Sequence, residues 1–592
     1  MERDRKFGRY GLIFAALCSI SGLSVAADPD DARSGEELSS PAQTGVWAPA
    51  VPVGSDIGPV TADALANSGS AKNEWLQYGG GYRNYRHSPV TALTPESVKR
   101  LHVAWSAPTG TLGQFEASPV VYGGVMYVST SYNRLFALDA RTGKFLWRHD
   151  VSLPADLRIC CGPPNRGVAI GGDLLVMATL DARLIAFDRK TGAVVWNSVI
   201  ADYKDGYSAT SAPLIVGDLV YTGLAGGEFG APGFVDAYEL SSGKRVWRRH
   251  TVPQSADDPA AKTWAGDSWK SGGSPAWTTG AYDAETDTLF WTVGNPSPDW
   301  NGDARAGDNL YSNSVLALDP KTGAMKWHFQ FTPHDVWDYD GNTQLFLVDT
   351  IVKGKTVKAL AQPNRNGFFY LLDRSNGKFL SATQYVEQLT WAKGVDKKGR
   401  PIVNPEALPQ ENPTARVCPS NLGGMNGSWS GAYDPATKLI FAPTMETCQQ
   451  FVKGIAVYAK GIPFMGGMPI NKDASDGKAY GHLSAIDVTT GQVKWRYPDA
   501  NPMMGGVVAT AGGVLVTSTV GGEALAIDQA TGQKLWSFRM GGNGRGQPIV
   551  YELDGTTYVA VPSGGYALFD QMISGKPMIP EGGQLFVFAL EK

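Results

Sequence analysis

One arrangement of apolar and polar positions returns along most of the chain. A short apolar segment with strand-type alternation ends in an acidic residue, a glycine-containing turn follows, and a tryptophan arrives eight residues after the acid. Alternation with a period of two predicts β-strands, and the glycine-containing connection predicts the tight turn of a β-hairpin. We therefore expect each copy to be a hairpin with one large aromatic anchor.

Seven copies of this hairpin pattern occur between residues 139 and 536. They are Asp139/Trp147, Asp188/Trp196, Asp319/Trp327, Asp487/Trp495 and Asp528/Trp536, with Glu239/Trp247 and Asp373/Ser381 as variants. Intervals of about 40 to 110 residues suit four-stranded propeller blades that carry insertions.

The two ends of the repeating region each carry half of the pattern. Residues 585–590 repeat its first half, and residues 101–105 repeat its second half. A ring whose last blade joins strands from both termini completes the pattern and leaves no open sheet edge. We predict an all-β, eight-bladed β-propeller closed by N- and C-terminal strands, with an open solenoid as the alternative.

Composition and charge support a folded, strand-rich chain. Its 592 residues are 43% hydrophobic and include 71 Gly, 17 Trp and 23 Tyr, which excludes disorder and favours strands over helices. The formal net charge is -4 at pH 7, and no basic stripe is present that could neutralise phosphates. We therefore do not expect nucleic acid as a partner.

The N-terminus predicts export. Four basic residues within the first nine positions precede an apolar run over residues 12–25, which ends in the small residues Ala26 and Ala27. This run is shorter than the ~20 residues that a membrane span needs. We predict a signal peptide over 1–27, a flexible leader over 28–73 and the propeller domain over 74–592, in a periplasmic protein without a membrane span.

Four cysteines remain after the predicted signal peptide: Cys160, Cys161, Cys418 and Cys448. An even number in an exported chain indicates disulfides, and four cysteines allow three pairings. The Cα atoms of neighbouring residues lie ~3.8 Å apart, below the usual disulfide range of ~4.4–6.8 Å. On this ground alone, we favour Cys160 and Cys161 paired with the distant cysteines or left as buried thiols.

Oxygen-bearing side chains recur in the turn-rich segments between strands, including Glu116, Glu228 and Asn295. Singly, such residues are typical of solvated or capping positions. Together, their oxygens suit a hard cation, whereas a softer metal would require thiolates or clustered imidazoles. In Asp338-Tyr339-Asp340, we expect strand alternation to place both carboxylates on one face, where they repel unless a cation or proton intervenes.

Several motifs, in this order, resemble one enzyme family. They are the Thr-Gly-Trp hairpins, Cys160-Cys161 followed by Asn165-Arg166-Gly167, Gly226-Gly227-Glu228-Phe229-Gly230, Gly294-Asn295-Pro296, and His334-Asp335-Val336-Trp337-Asp338-Tyr339. From about Trp75 to the C-terminus, the chain resembles the quinoprotein alcohol dehydrogenases that use pyrroloquinoline quinone (PQQ), the methanol and ethanol dehydrogenase family. This resemblance implies oxidation of an alcohol to an aldehyde or ketone by hydride transfer to metal-bound PQQ.

The resemblance also implies a cofactor site. Cys160 and Cys161 would form a vicinal disulfide against one face of the quinone, Trp277 would stack on the other face, and Cys418 and Cys448 would form a second bridge. The remaining cofactor-binding positions implied are Glu116, Arg166, Thr210, Gly226, Gly227, Arg365 and Asn426.

The implied metal ligands are Glu228, Asn295 and Asp338. Asp338 is also the implied catalytic base, and Arg365 the group that stabilises the developing oxyanion. Calcium enzymes of the family carry a small residue two positions after the base, whereas the lanthanide-type branch carries a second Asp, here Asp340. Because a trivalent ion gains from an additional anionic ligand, we expect a lanthanide rather than calcium, with Asp340 as a fourth ligand.

Three positions depart from the family pattern near the expected substrate site. Pro275 replaces a usual Thr, Met504 replaces a common Trp, and Asn426-Gly427-Ser428-Trp429 contains two inserted residues. Because a flexible Met leaves a looser apolar cavity than a rigid ring, we expect longer or bulkier alcohols as substrates.

The chain has no Cys-x-x-Cys-His haem motif. We therefore expect electrons to pass to a separate soluble cytochrome c, as the resemblance implies; the sequence leaves the oligomeric state open, with a homodimer among the alternatives. Two other functions are considered: a non-enzymatic propeller scaffold for outer-membrane assembly, and a degenerate quinoprotein that has lost turnover through Pro275 and Met504.

Overall fold

The computed structural model describes residues 57–565, 573, 575 and 582–591, which form a ring of eight blades, seven with four strands and one with five. Two strands precede the first complete blade: β1 (His87–Ser88) and β2 (His102–Pro108). Blade 1 contains β3 (Val120–Tyr122), β4 (Val125–Thr130), β5 (Arg134–Asp139) and β6 (Phe145–Asp150), and blade 2 contains β7 (Ala169–Gly171), β8 (Leu174–Ala178), β9 (Arg183–Asp188) and β10 (Val194–Val199). Blade 3 contains β11 (Leu214–Val216), β12 (Leu219–Gly223), β13 (Phe234–Glu239) and β14 (Arg245–His250). Blade 4 contains β15 (Ala281–Asp283), β16 (Thr288–Thr292), β17 (Ser314–Leu318) and β18 (Met325–Gln330).

The second half of the ring carries the longer insertions. Blade 5 contains β19 (Phe346–Val352), β20 (Lys355–Pro363), β21 (Phe368–Asp373) and β22 (Phe379–Gln384), and a separate hairpin of β23 (Ala392–Val395) and β24 (Pro401–Val403) follows it. Blade 6 contains β25 (Ala432–Asp434), β26 (Leu439–Glu446), β29 (Tyr480–Asp487) and β30 (Val493–Asp499), interrupted by the hairpin of β27 (Gln450–Lys453) and β28 (Gly467–Ile470). Blade 7 contains β31 (Val508–Thr510), β32 (Val514–Ser518), β33 (Glu523–Asp528) and β34 (Lys534–Arg539). Strand β1 pairs with β31 in parallel and is the fifth strand of this blade.

The ring closes through blade 8, which joins strands from both ends of the described chain. It contains β35 (Ile549–Leu553), β36 (Thr556–Ser563) and β37 (Gln584–Leu590), and β2 pairs with β37 in antiparallel register, with His102 opposite Ala589. The predicted eight-bladed, all-β fold and its closure are therefore confirmed, and the open solenoid is wrong.

The tryptophan of one blade and the turn glycine of the next hold neighbouring blades together. Trp147 is fully buried, and its Nε1 donates to the carbonyl of Arg189 in blade 2 at 3.1 Å. Gly192 has a φ of 73°, and a Cβ there would lie 2.7 Å from the Trp147 ring, so the close approach itself requires glycine. Because Trp147 fills this contact, its truncation to Ala would cost about 3–5 kcal/mol.

The acid that opens each turn has a local role. Asp139 Oδ1 accepts hydrogen bonds from the backbone N–H of Arg141 at 3.0 Å and of Thr142 at 2.9 Å. Such an Asx-type cap satisfies the donors that a tight turn exposes. This explains why the turn begins with Asp in six of the seven copies.

The segment before β1 lies against the innermost strands of the ring. Val60 pairs with Gly172, helix α1 (Ala62–Ala66) buries Leu65, and Trp75 pairs with Val121. The predicted flexible leader is therefore too long at its C-terminal end, because residues 57–73 bind the propeller. The predicted signal peptide and the rest of the leader lie outside the described residues.

Helices are short in the described part of the chain. Besides α1, they are helix α2 (Lys472–Ser475) and the 3₁₀ helices Ser68–Ser70, Ser97–Arg100, Ser131–Asn133, Tyr203–Asp205, Gly227–Phe229, Pro259–Thr263, Ser268–Ser271, Asp303–Arg305 and Pro405–Ala407. Within the described residues, none of the helices has the length and apolar character that crossing a membrane requires.

Candidate active site

The residues implied by the resemblance lie on connections at one end of the ring. Neighbouring strands of a blade are antiparallel, so the connection from the second to the third strand and the connection to the next blade emerge at the same end. Glu228, Asn295 and Arg365 lie on connections of the first kind, whereas Glu116 and Trp277 lie on the second kind. The fold thus gathers residues from distant parts of the sequence.

Cys160 and Cys161 form a disulfide with each other, and Cys418 forms one with Cys448. The expectation drawn from Cα spacing alone is therefore wrong, and the pairing implied by the family resemblance is present. A carboxylate oxygen of Glu228 lies within 4.8 Å of both sulfur atoms of the vicinal bridge. Because bridged sulfurs carry no thiolate charge, this trio is not a metal site; it brings the implied cofactor-binding and metal-binding residues together.

Arg166 is the centre of the implied cofactor-binding residues. Its guanidinium lies 2.7 Å from Glu116 Oε2, donates to Thr210 Oγ1 at 2.7 Å, and lies 4.9 Å from the centre of the Trp277 ring. It also donates to Ser428 Oγ at 3.1 Å. Arg166 and Glu116 are both buried, so this ion pair is only weakly screened by solvent.

Ser428, rather than Asn426, provides the side chain that contacts Arg166 from the inserted segment. The Asn426 side-chain oxygen instead accepts a local hydrogen bond from the Ser428 backbone N–H at 3.0 Å. The family pattern indicated Asn426, because the two-residue insertion makes it uncertain from the sequence which side chain of this segment reaches the site. The cofactor role of Asn426 stays a prediction.

Arg545 is a buried member of the site that the sequence did not indicate. Its Nη1 donates to Glu116 Oε1 at 3.2 Å, and its Nη2 donates to the sulfur of Met504 at 3.3 Å. Met504, one of the departures from the family pattern, is completely buried. A charged residue between two glycines, Gly544 and Gly546, was the available signal.

Asp338 and Asp340 are brought together by a turn and not by a strand. Both have positive φ angles, 59° and 50°, so the expected strand alternation is wrong. The physical reason is Asp335, whose carboxylate accepts from the backbone N–H of Trp337 at 2.9 Å and of Tyr339 at 2.8 Å. These two caps fix a turn in place of the strand.

Arg365 contacts both carboxylates of this turn. Its Nη1 forms an ion pair with Asp340 Oδ2, and its Nη2 lies 3.5 Å from Asp338 Oδ2. Asn421, also not indicated by the sequence, donates from Nδ2 to Asp338 Oδ2 at 3.1 Å and accepts from Arg365 Nε through its carbonyl at 2.9 Å. The guanidinium and the amide together orient the Asp338 carboxylate.

Asp340 is connected to the implied metal ligand Asn295. Asp340 Oδ1 accepts from the backbone N–H of Asn295 at 2.7 Å, and Oδ2 accepts from Trp277 Nε1 at 3.2 Å. The carboxylates of Glu228, Asp338 and Asp340 do not all lie within 4.8 Å of one another.

The site suits a hard cation and a planar anionic ligand. The side-chain nitrogen of Asn295 is buried without a hydrogen-bond partner, so its N–H groups can donate to an acceptor atom of the anionic ligand. A Cβ at Gly227 would lie 3.2 Å from Asn295 Oδ1 and 3.0 Å from Pro275, and Gly226 has a φ of 141°. The glycine pair therefore keeps space open beside the acids.

Burial raises the pKa values of all three implied acidic ligands above their usual range. Repulsion from Asp340 further raises the pKa of Glu228, and repulsion from Asp340 and Glu228 further raises the pKa of Asp338. The Arg365 guanidinium lowers the pKa of all three acids. The single positive charge of Arg365 thus faces three carboxylates, and a bound cation would favour their ionised forms.

A fourth buried acid, Asp299, lies four residues after Asn295 on the same connection. Only 1% of it is exposed, and burial together with repulsion from Asp338, Glu228 and Asp340 raises its pKa well above the usual range. The sequence signal was weak, because an Asp after Pro298 is also typical of an ordinary turn.

Comparisons with known proteins agree with this geometry. Residues 75–388 match the family described as "Glucose/ethanol/alcohol dehydrogenase, beta-propeller domain". A further match, to "Outer membrane protein assembly factor BamB", covers only residues 479–572.

Full-length relatives give the same family. The chain is 41% identical over 547 residues to quinoprotein alcohol dehydrogenase PedH of Pseudomonas putida, covering 87% of this chain and 90% of that protein. It is 34% identical to the lanthanide-dependent methanol dehydrogenase of Methylacidiphilum fumariolicum, covering 90% of this chain and 94% of that protein.

A solved structure named "Europium-containing methanol dehydrogenase" superimposes with a TM-score of 0.84 at 32% identity, covering 89% of this chain and all of that one. These relatives are at least 30% identical to the chain and cover most of both chains. The chain therefore belongs to the family of PQQ-dependent quinoprotein alcohol dehydrogenases.

Proposed function

We propose that this protein oxidises an alcohol to an aldehyde or ketone in the periplasm and passes the electrons to a cytochrome c. The observation that carries the proposal is the convergence on Asp340 of groups from three connections: the Asn295 backbone N–H, the Trp277 indole and the Arg365 guanidinium. These residues belong, by the family resemblance, to the metal, cofactor and catalytic sets. When bound, PQQ supplies a hydride acceptor and the metal ion a Lewis acid.

The residues that would hold PQQ fit a planar polyanion. Arg166 and Arg365 are buried guanidinium groups, which recognise carboxylates through paired N–H donors. Trp277 and the Cys160–Cys161 bridge provide the flat surfaces that an aromatic ring system requires. Glu116, Thr210, Gly226 and Gly227 complete the set, with Asn426 as the least supported member.

The residues that would hold the metal offer oxygen only: Glu228, Asn295, Asp338 and Asp340. Three carboxylates in one site favour an ion of high charge, since each adds an attraction proportional to the charge of the ion. We propose a lanthanide, and the names of two relatives, a lanthanide-dependent and a europium-containing methanol dehydrogenase, support this choice. Calcium is the alternative.

Asp338 is the proposed base for the substrate hydroxyl proton. Its Oδ2 is held by the Asn421 amide at 3.1 Å and by the Arg365 guanidinium at 3.5 Å, and both interactions favour the ionised form. The other carboxylate oxygen, Oδ1, is the proposed acceptor of the proton. Arg365, which contacts Asp338 and Asp340, is the proposed group that would stabilise negative charge on the acceptor.

The alcohol pocket is proposed to admit longer substrates than methanol. Met504 is buried beside Trp429 and Met445 and contacts Arg545, so a flexible side chain lines this part of the site. Pro275 contributes its ring next to Gly227 and lacks the hydroxyl of the usual Thr.

The test is dye-linked alcohol oxidation by metal-free protein reconstituted with PQQ, with Ca²⁺ and La³⁺ in parallel and an alcohol panel. Turnover with La³⁺ and not Ca²⁺ supports the full proposal, whereas turnover with Ca²⁺ alone keeps the enzyme and refutes the lanthanide. PQQ binding without turnover identifies a degenerate quinoprotein. Absent PQQ binding identifies a scaffold, and electron transfer to a purified cytochrome c tests the acceptor separately.

A further inference from the structure

Asp299 is a buried carboxylate for which the protein supplies no adequate partner. It is 1% exposed, and its Oδ1 has no hydrogen-bond partner. Among the described residues, no Lys, Arg or His nitrogen lies within ion-pairing distance of it. A carboxylate in this state is costly to bury, so some other group must compensate for it when the protein functions.

Arg305 is the cation that acts most directly on Asp299, but its donors are used elsewhere. Its Nε and Nη2 donate to the carbonyl of Pro298 at 3.2 and 2.9 Å, and Nη1 donates to Asn309 Oδ1 at 2.8 Å. Nη2 also donates to the carbonyl of Asp335 at 2.6 Å. Arg305 therefore braces the loop backbone and does not pair with Asp299.

The other charges around Asp299 are negative and belong to the proposed metal centre. The connection that carries Asp299 lies against them: Ser297 donates to the carbonyl of Gly227, next to Glu228, and Arg305 Nη2 donates to the carbonyls of both Pro298 and Asp335. The acids Asp338, Glu228 and Asp340 all repel Asp299. With Asp299 included, the centre contains four carboxylates, and Arg365 is the guanidinium that contacts it through Asp338 and Asp340. The centre thus carries about three net negative charges when its acids are ionised, the number that a trivalent ion neutralises.

We propose that Asp299 is an additional anionic residue of the metal centre, which acts on the bound ion through space or through bound water and sets the preference for trivalent over divalent ions. This inference rests on the proposed function, and no role for Asp299 is implied by the family motifs. In this proposal, Asp299 is a positioning and selectivity residue that acts in addition to the proposed direct ligands Glu228, Asn295, Asp338 and Asp340.

The size of the expected effect follows from the charges. The attraction between one carboxylate and an ion is proportional to the charge of the ion, so a trivalent ion loses one and a half times as much free energy as a divalent ion when the carboxylate is neutralised. If Asp299→Asn weakens Ca²⁺ binding by about tenfold, it should weaken lanthanide binding by roughly thirtyfold.

The metal-free protein should respond in the opposite direction. Asp299→Asn removes a buried charge that lacks a partner and preserves the size of the side chain, so it should raise the melting temperature of the metal-free protein. A merely structural role for Asp299 would lower it.

The experiment is a titration of the full chain, loaded with PQQ, with Tb³⁺. Trp277 donates to Asp340, so excitation of the tryptophan should sensitise luminescence from an ion bound there. Competition with Ca²⁺ gives the selectivity of wild type, Asp299→Asn and Asp299→Glu. Asp303→Asn is the matched control, because Asp303 lies on the same connection but its side chain is 69% exposed and pairs with Lys453 at 2.9 Å.

For Asp299→Asn, we expect a roughly thirtyfold loss of Tb³⁺ affinity, a smaller loss of Ca²⁺ affinity, and a higher melting temperature of the metal-free protein. Asp299→Glu should recover part of the affinity, and Asp303→Asn should leave it unchanged. Equal losses for the two ions, or unchanged Tb³⁺ affinity, would overturn the inference while the proposed function stands. If the wild type itself binds no Tb³⁺, the lanthanide centre and the inference both fail.

Discussion

Asp340 Oδ1 accepts a hydrogen bond from the backbone N–H of Asn295 at 2.7 Å. This contact joins two connections that are 45 residues apart in the sequence and that both carry proposed metal ligands. The other oxygen of Asp340 is held by Trp277 and Arg365. Asp340 is therefore a fixed part of the site and not a solvated carboxylate that happens to follow the base.

Replacing Asp340 should change the metal preference. Asp340→Ser removes one of three proposed carboxylate ligands, and a trivalent ion depends on that charge more strongly than a divalent ion. We expect lanthanide affinity to fall by about 10²-fold or more, with a smaller loss for Ca²⁺. Calorimetric titration of both ions measures this, and Asp340→Asn, which keeps the size and loses the charge, separates charge from packing. Equal affinity changes for both ions would contradict a ligand role.

Removing the base should abolish turnover without unfolding the protein. Asp338→Asn cannot accept the hydroxyl proton, and a general base contributes about 10²–10⁴-fold to the rate. We expect kcat to fall by at least this factor in the dye-linked assay, while PQQ titration shows the cofactor still bound. Asn421→Ala is a useful comparison, because it removes the hydrogen bond at 3.1 Å but leaves the carboxylate, and a smaller loss is expected. Unchanged kcat in Asp338→Asn would remove Asp338 from the role of base.

Much of the fold could be predicted from the sequence because its signals are local. An acid eight residues before a tryptophan, with a glycine in the turn between them, as at Asp139, Gly143 and Trp147, reports a turn and an anchor without knowledge of the rest of the chain. What the sequence did not indicate is that Trp147 packs against Gly192, the turn glycine of the neighbouring blade. That contact depends on the closed ring.

The residues implied by the resemblance do contact one another, as Arg365 and Asp340 show, but their local geometry differs from the expectation. The sequence suggested a strand at Asp338 and Asp340, but the caps of Asp335 on Trp337 and Tyr339 impose a turn. Such competition between a side-chain cap and a strand is not visible in alternation alone.

Asp299 and Arg545 were missed for a different reason. Both are charged residues in turn-rich connections, where exposure is the ordinary expectation. Both are buried in the assembled ring, where Arg545 contacts Glu116 and Met504 from other connections. The family motifs gave no indication of either residue.

The vicinal disulfide should be the one that a mild reductant opens first. Cys161 is exposed, whereas Cys418 and Cys448 are 0% and 1% exposed. Because thiol–disulfide exchange requires access, limited reduction should open Cys160–Cys161 first and lower PQQ affinity without loss of the fold. Mass spectrometry after alkylation identifies the bridge, and Cys160→Ser/Cys161→Ser should give the same PQQ affinity as the reduced protein. Loss of the Cys418–Cys448 bridge first would refute this order.

Metal affinity should rise with pH. Burial raises the pKa values of Glu228, Asp338 and Asp340, so the metal-free fold retains protons at pH values above the ordinary carboxyl pKa of ~4. Because the folded state then binds more protons than the unfolded chain, the free energy of unfolding of the metal-free protein should rise as pH falls toward ~4.

Binding of the ion must displace these protons. Calorimetry in buffers with different ionisation enthalpies should therefore show proton release on metal binding, and the pH dependence of the melting temperature should flatten in the metal-loaded protein. Metal binding without proton release would show that these acids are already ionised in the metal-free protein.

Met504 should control the length of the alcohol that the site accepts. It is fully buried against Trp429, Met445 and Val520, and its sulfur lies 3.3 Å from Arg545 Nη2. Met504→Trp adds a rigid ring to this space and should exclude the longer alcohol. We therefore expect kcat/KM for butanol to fall by about tenfold relative to that for ethanol.

Met504→Leu is the matched control, because it has a similar volume but lacks the sulfur that Arg545 contacts. If pocket volume decides specificity, Met504→Leu keeps the wild-type order of alcohols and only Met504→Trp reverses it. If the contact with Arg545 decides it by fixing Glu116, both variants should change PQQ affinity as well as alcohol preference, because Glu116 lies between Arg545 and Arg166. A steep preference of the wild type for methanol over ethanol and butanol would contradict a role for Met504 in admitting longer substrates.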